Sequence, residues 1–186
     1  MADFIRSPAR FMLTDELRAC DLAYQKGDDQ FKVTHVVSPT GEDIHRVVLI
    51  GAVTEKEDIG SDKEYWKLRI VDPTGSILTY AGQYQPEASL QASVLEVPQY
   101  VAISGKVKLF TTEDGTVITS VSAEKIIPVT KLEKDQYLYF AARNLLTRLL
   151  EPNNENESVK MATEHYGIDN AKYFEMAKKV IDSLTE

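Results

Sequence analysis

Seven side chains on short alternating runs have the chemistry to hold a polyanion that carries stackable rings. In Glu64-Tyr65-Trp66-Lys67-Leu68-Arg69-Ile70-Val71, a strand puts Trp66, Leu68 and Ile70 on one face and Tyr65, Lys67 and Arg69 on the other. In Gln99 to Phe110 the same period sets Val101, Ile103, Gly105, Val107 and Leu109 against Ala102, Ser104, Lys106, Lys108 and Phe110. Cations neutralise phosphates and aromatic rings stack on bases, so such a surface suits single-stranded nucleic acid. Tyr80 and Tyr84 bracket Gly82, where backbone or ligand can approach closely. The same two rings could equally plug the end of a barrel. Trp66 shares its face with Leu68 and Ile70 and reads as core or rim. The candidate nucleic-acid-binding set is therefore Lys67, Arg69, Tyr80, Tyr84, Lys106, Lys108 and Phe110.

The overall charge runs against a broad basic field. The net charge is -8 over 186 residues, which disfavours non-specific duplex binding and leaves room for a local groove. Over 44–129, eight Lys and Arg face eleven Asp and Glu, and most of the acids fall in expected loops. Glu55-Lys56-Glu57-Asp58 would repel phosphates, so weak binding by this module alone is expected. Other chemistry finds little support. His35, His45 and His165 are scattered without metal-ligand spacing, and the single Cys20 excludes an intrachain disulfide or a Cys-based zinc site. No Gly-rich phosphate loop, Ser-His-Asp set or paired acids in a pocket appears, so neither enzyme activity nor a cofactor or metal is expected. No apolar run approaches the ~18 residues of a membrane span, and the N-terminus lacks a signal-peptide core. A soluble, cytoplasmic chain without a membrane partner is the expectation.

The elements that must position these residues fall into three stretches. Residues 1–43 form an N-terminal extension, with helical spacing of Phe11, Leu13 (or Met12), Leu17 and Cys20 between Pro8 and Ala23. Gly27-Asp28-Asp29 follows as a turn, then a strand over Phe31 to Val37. Residues 44–129 carry strands over His45 to Thr54, Tyr65 to Asp72, Ser76 to Ala81, Gln99 to Phe110 and Thr116 to Ile127. Gly51 marks a bulge or bend in the first, and Glu55 to Lys63 reads as an acidic loop. A helix over Pro86 to Leu95 lies between the third and fourth strands. That order is a five-stranded OB-fold barrel, so the fold class is mainly β with α, followed by C-terminal helices. Residues 130–186 are the helical region. Leu132 to Leu150 carries a stripe of Leu138, Ala142, Leu145 and Leu149, with Tyr139, Phe140, Leu146 and Leu150 beside it. That arc is wider than docking on one small barrel needs. Helices over Glu155 to Tyr166 and after Asp169 complete the chain.

Several blocks carry a family resemblance: Pro39-Thr40-Gly41, Arg46 to Glu55, Val71-Asp72-Pro73-Thr74-Gly75, Tyr80-Ala81-Gly82-Gln83-Tyr84-Gln85-Pro86-Glu87-Ala88, Val101 to Lys106 and Thr119-Ser120-Val121. On these the chain resembles the archaeal replication protein A-associated proteins, OB-fold companions of archaeal single-stranded DNA-binding protein. The resemblance covers roughly Phe4 to Leu150 and is specific in the Asp-Pro-Thr-Gly and Tyr-Ala-Gly-Gln-Tyr-Gln-Pro blocks. More distantly, the barrel and following helix resemble the middle subunit of eukaryotic replication protein A. There, aromatics on the third strand and near the end of the fourth stack on bases, which by position implies Tyr80 and Phe110 here. The resemblance also implies that Leu132 to Leu150 is an assembly helix, with Leu138, Ala142, Leu145 and Leu149 at a partner. It implies single-stranded DNA binding in replication and repair, with archaeal replication protein A as partner. A homo-oligomer stays open. The alternative is a scaffold that never touches DNA and acts through its C-terminal helices.

Overall fold

A run in which every second residue is apolar folds as a strand with one buried face, and Val101 to Val107 does so with Val101 and Ile103 fully enclosed. The computed structural model describes residues 7–27 and 32–185. Asp28, Asp29 and Phe31, assigned above to a turn and a strand start, lie outside the described residues. The elements in chain order are β1 (Ala9–Phe11), α1 (Thr14–Arg18), β2 (Leu22–Lys26), β3 (Val33–Val37), β4 (Asp43–Ile44) and β5 (Arg46–Asp58). Then come β6 (Trp66–Val71), β7 (Ser76–Ala81), α2 (Pro86–Val94), β8 (Gln99–Thr111) and β9 (Val117–Pro128). Helices α3 (Lys131–Leu150), α4 (Glu157–Tyr166) and α5 (Asn170–Ser183) end the chain.

Strands β5, β6, β7, β9 and β8 lie side by side in that order, and β5 pairs again with β8 to close the barrel. The β7–β9 pairing is parallel and the others are antiparallel. With α2 between the third and fourth barrel strands, this is the expected OB-fold. Closure depends on β5 changing partners along its length, from β8 to β6. Gly51 stands at the handover, where a Cβ would run into the Val71 carbonyl. The bulge itself comes slightly later, between Val53 and Glu55. β5 then continues through Asp58, so the acidic stretch begins as strand and not as loop. Its residues carry no apolar period, and pairing with β6 decides their conformation.

Leu68, Thr79, Val121 and Val107 are successive cross-strand partners, and all four are buried in the barrel. Ala88, Ala92 and Leu95 join that core from α2 and its end, and Met12, Leu17 and Cys20 join it from the N-terminal segment. The short helix expected between Pro8 and Ala23 is Thr14–Arg18. Ala9–Phe11 pairs in parallel with Arg46–Val48, and Leu22 onward pairs with β3, so tertiary pairing overrides helical spacing. The Asp-Pro-Thr-Gly turn is the clasp for α1. Thr14 N–H donates to Asp72 Oδ2 at 2.7 Å, and Asp15 N–H donates to Thr74 Oγ1 at 3.1 Å.

A second core forms outside the barrel. Leu138, Ala142, Leu145 and Leu149 are buried there against Leu13, Val48, Ile50 and the α5 residues Tyr173, Met176, Ala177 and Val180. This corrects the assignment of those four to a partner. The chain's own amphipathic α5 covers the stripe that the sequence left unmatched. The described part of the N-terminal extension is tied to α3 as well. The Tyr137 hydroxyl donates to Met12 O at 2.8 Å and accepts from Met12 N–H at 3.2 Å. Arg148 Nη2 spans both oxygens of the buried Glu16 carboxylate at 2.8 and 2.9 Å. No described helix is long and apolar enough to cross a membrane.

Candidate nucleic-acid interface

The strand registers place the predicted cations on shared rows of the outer wall. One row runs Glu57, Lys67, Tyr80, Ser122, Lys106 and Arg46, each the direct partner of the next. The adjacent row runs Glu55, Arg69, Leu78, Ser120 and Lys108. Buried Leu68, Thr79, Val121 and Val107 occupy the position between them, so both rows face outward. The row starts and ends on β5 and so runs round the closed barrel; at about 4.8 Å per strand, roughly 14 Å of its circumference separates Lys67 from Lys106 through β7 and β9. Ser120 and Ser122 are the smallest side chains of the two rows and form a low floor between the cations. The terminal helices cover the outer side of β5 at Val48 and Ile50.

The aromatic residues separate into two groups. Tyr80 stacks on Tyr65, with ring centroids 5.6 Å apart and planes 14° from parallel. Gly82 makes room for that stack, because a Cβ there would come within 2.6 Å of the Tyr65 ring. Phe110 is 65% exposed at the far end of β8, opposite the exposed Ile118. Tyr84 is 85% exposed in the turn before α2, off the barrel wall. Neither Tyr80 nor Tyr84 plugs the barrel; Ala88 and Ala92 of α2 fill that space. Trp66 packs on the barrel core as rim, with Lys56 Nζ 4.8 Å from its ring centroid.

The cations differ in how they are held. Lys67 pairs with Glu57, and Arg69 Nε lies 2.8 Å from Glu55 Oε2. The Glu57 hydrogen bond holds the Lys67 ammonium pKa above its ordinary value. Arg46 makes two 2.8 Å hydrogen bonds to Glu124, and Lys106 Nζ is 4.0 Å from the same carboxylate. Lys108 has no ion pair among the described residues. Of the loop acids expected to repel phosphates, Asp58 is engaged by the N–H groups of Tyr65 and Gly60, which lower its pKa. Asp114 is likewise held down by hydrogen bonds from Thr112 and Thr116.

Two contributors escaped the sequence reading. Period two sets Tyr65 outward, but its ring stack is not local, because the partner sits fifteen residues away on β7. Arg18, on α1, lines a shallow depression with Arg69, Ser76, Leu78 and Ile118. Nothing in its local sequence brings it to the barrel wall; only the clasp on α1 does. Among the described residues no group of three or more His, Cys, Asp or Glu could hold a metal ion.

No protein-family model matches the chain, and no curated protein matches its sequence. Among solved structures it is similar to the OBody NL8 bound to hen egg-white lysozyme, at 18% identity over 46% of this chain and 94% of that one, with a TM-score of 0.39. It is similar to asparaginyl-tRNA synthetase from Pyrococcus horikoshii, at 19% identity over 57% of this chain and 29% of that one, TM-score 0.36. The mitochondrial single-stranded DNA binding protein Rim1 from S. cerevisiae matches at 15% identity over 46% of this chain and 94% of that one, TM-score 0.36. At such values the likenesses carry no argument about ligands, and the fold rests on the strand order itself.

Proposed function

We propose that this chain is a single-stranded DNA-binding OB-fold subunit, a cytoplasmic binding module and not an enzyme. In this reading it associates with archaeal replication protein A in DNA replication and repair. The observation that carries DNA binding is the outward grouping of Lys67 and Arg69 on β6 with Tyr80 on the adjacent β7, to which Lys106 and Lys108 add cations further round the same barrel rows. In OB-folds the face of the second and third strands takes oligonucleotides, and Lys67, Arg69 and Tyr80 lie on those strands here. Lys67, Arg69, Lys106 and Lys108 neutralise phosphates, while Tyr80 and Phe110 stack on bases and Tyr84 reaches the strand from the turn before α2. The replication protein A association rests on the resemblance of the Asp-Pro-Thr-Gly and Tyr-Ala-Gly-Gln-Tyr-Gln-Pro blocks.

Fluorescence anisotropy of labelled oligothymidylate tests the face. Replacing Lys67, Arg69, Lys106 and Lys108 together by Gln is expected to weaken binding by more than tenfold and to flatten its salt dependence. Phe110→Ala is expected to cost ~1–3 kcal/mol, the value of one stacked base. Unchanged affinity in the fourfold variant removes the assigned face. Co-purification with replication protein A tests the partner.

A second reading, a scaffold that does not contact DNA, is favoured by one feature. Leu132, Tyr139, Phe140 and Leu150 of α3 are exposed on the side that α5 leaves uncovered. Light scattering with and without replication protein A separates the two: a complex that forms while neither the free chain nor its face variants bind DNA selects the scaffold.

A further inference from the structure

The two rows begin with acids, and that arrangement has a functional cost to DNA binding. Glu55 and Glu57 stand directly opposite Arg69 and Lys67 in the β5–β6 register. Thr54, at the register shift between Val53 and Glu55, sets the phase of everything after it on β5. Glu55 and Glu57 therefore turn outward, onto the same wall as the cations, while Lys56 between them turns back to Trp66. Each carboxylate is 60% exposed on its side chain and stands at the position a phosphate oxygen would take on its cation.

We infer that Glu55 and Glu57 act as built-in competitors of the nucleic-acid backbone, occupying Arg69 and Lys67 in the free protein and displaced when a strand binds. This rests on the proposed function, since it presumes that the wall is the binding face. Two consequences follow physically. Displacement opposes binding by the value of each exposed ion pair, which is small, so the competition is reversible. It also hides charge from the salt response. The phosphate still releases its condensed counterion, but the displaced carboxylate draws a cation from solution, so the net release at a paired Lys or Arg is smaller. Lys108, without such a competitor, keeps its full contribution.

The test is anisotropy of fluorescein-labelled oligothymidylate, longer than the ~4–16 nucleotides that one OB-fold covers, across a salt series. The proteins are the full chain, Glu55→Gln/Glu57→Gln, and the control Glu151→Gln/Glu155→Gln, which removes the same charge from the α3–α4 connection. Glu55→Gln/Glu57→Gln is expected to bind about 2–10-fold tighter at low salt. Its slope of log affinity against log salt is expected to steepen by roughly 0.7 for each cation set free. The control is expected to keep the wild-type slope. Glu57→Gln alone, with half the effect, serves if the double variant does not fold. If wild type binds and the double variant matches it in both affinity and slope, the competition is refuted while the face stands. If no protein binds at any salt, the proposed function falls and this inference with it.

Discussion

Asp43 shows how a single side chain ties a peripheral sheet to pH. Burial opposes its ionisation, but hydrogen bonds with Lys26 Nζ at 2.9 Å and His35 Nδ1 at 2.7 Å outweigh that, and its pKa is lowered. The unfolded value of about 3.9 then lies above the folded one, so the unfolded chain takes the proton more readily. The stabilisation is present above about pH 4 and is lost as pH falls through the folded value. Asp43→Asn is expected to lower the urea midpoint at pH 7 and to flatten its decline below about pH 4. Equal acid sensitivity of variant and wild type contradicts this. At this same scale the sequence is legible where one strand suffices. Lys67 and Arg69, or Lys106 and Lys108, follow from period two alone. Glu55 and Glu57 read as loop because a bulge has no apolar signature, and one shifted residue decides which way each side chain points.

Helix α3 shows where element-level reading stops. Its length, its Thr130 capping box and its apolar arc are all written locally: Glu133 N–H donates to Thr130 Oγ1 at 3.2 Å, and Thr130 N–H donates back to Glu133 Oε2 at 2.7 Å. What covers the arc is not local. Leu138, Ala142, Leu145 and Leu149 meet α5 and Leu13, distant in sequence, so a stripe that looks unpartnered is already occupied. Tyr137 shares that face and fixes the β1 end through the Met12 backbone. Tyr137→Phe leaves the buried Met12 amide without its acceptor and is expected to destabilise the chain by ~1–3 kcal/mol, read from denaturant midpoints. A shift under ~0.5 kcal/mol would show that the hydroxyl is dispensable. The barrel strands were legible in order and nearly in extent, since alternation and turn residues mark each one. The N-terminal strands β1 and β2 were not, because three to five residues carry too little periodicity to compete with the helical spacing around them.

Over the whole molecule, the division into extension, barrel and helical tail describes the sequence better than it describes the packing. Met12, Leu17 and Cys20 complete the barrel interior, Leu13 belongs to the helical core, and Glu16 is held by Arg148 from α3. The barrel therefore depends on a segment of which Arg18 alone lines the depression beside Arg69. That dependence can be timed. Cys20 is the only sulfhydryl in the chain, 1% exposed, and burial pushes its pKa well up, so a thiol-specific dye finds nothing to attack until the clasped segment lifts. Its labelling is expected to run ~100-fold or more slower than in urea-unfolded protein, the ratio for an opening of ~3 kcal/mol. Saturating oligonucleotide on the outer wall should slow it further if strand and clasp are energetically linked, which makes this lone sulfur a clock for the molecule's breathing.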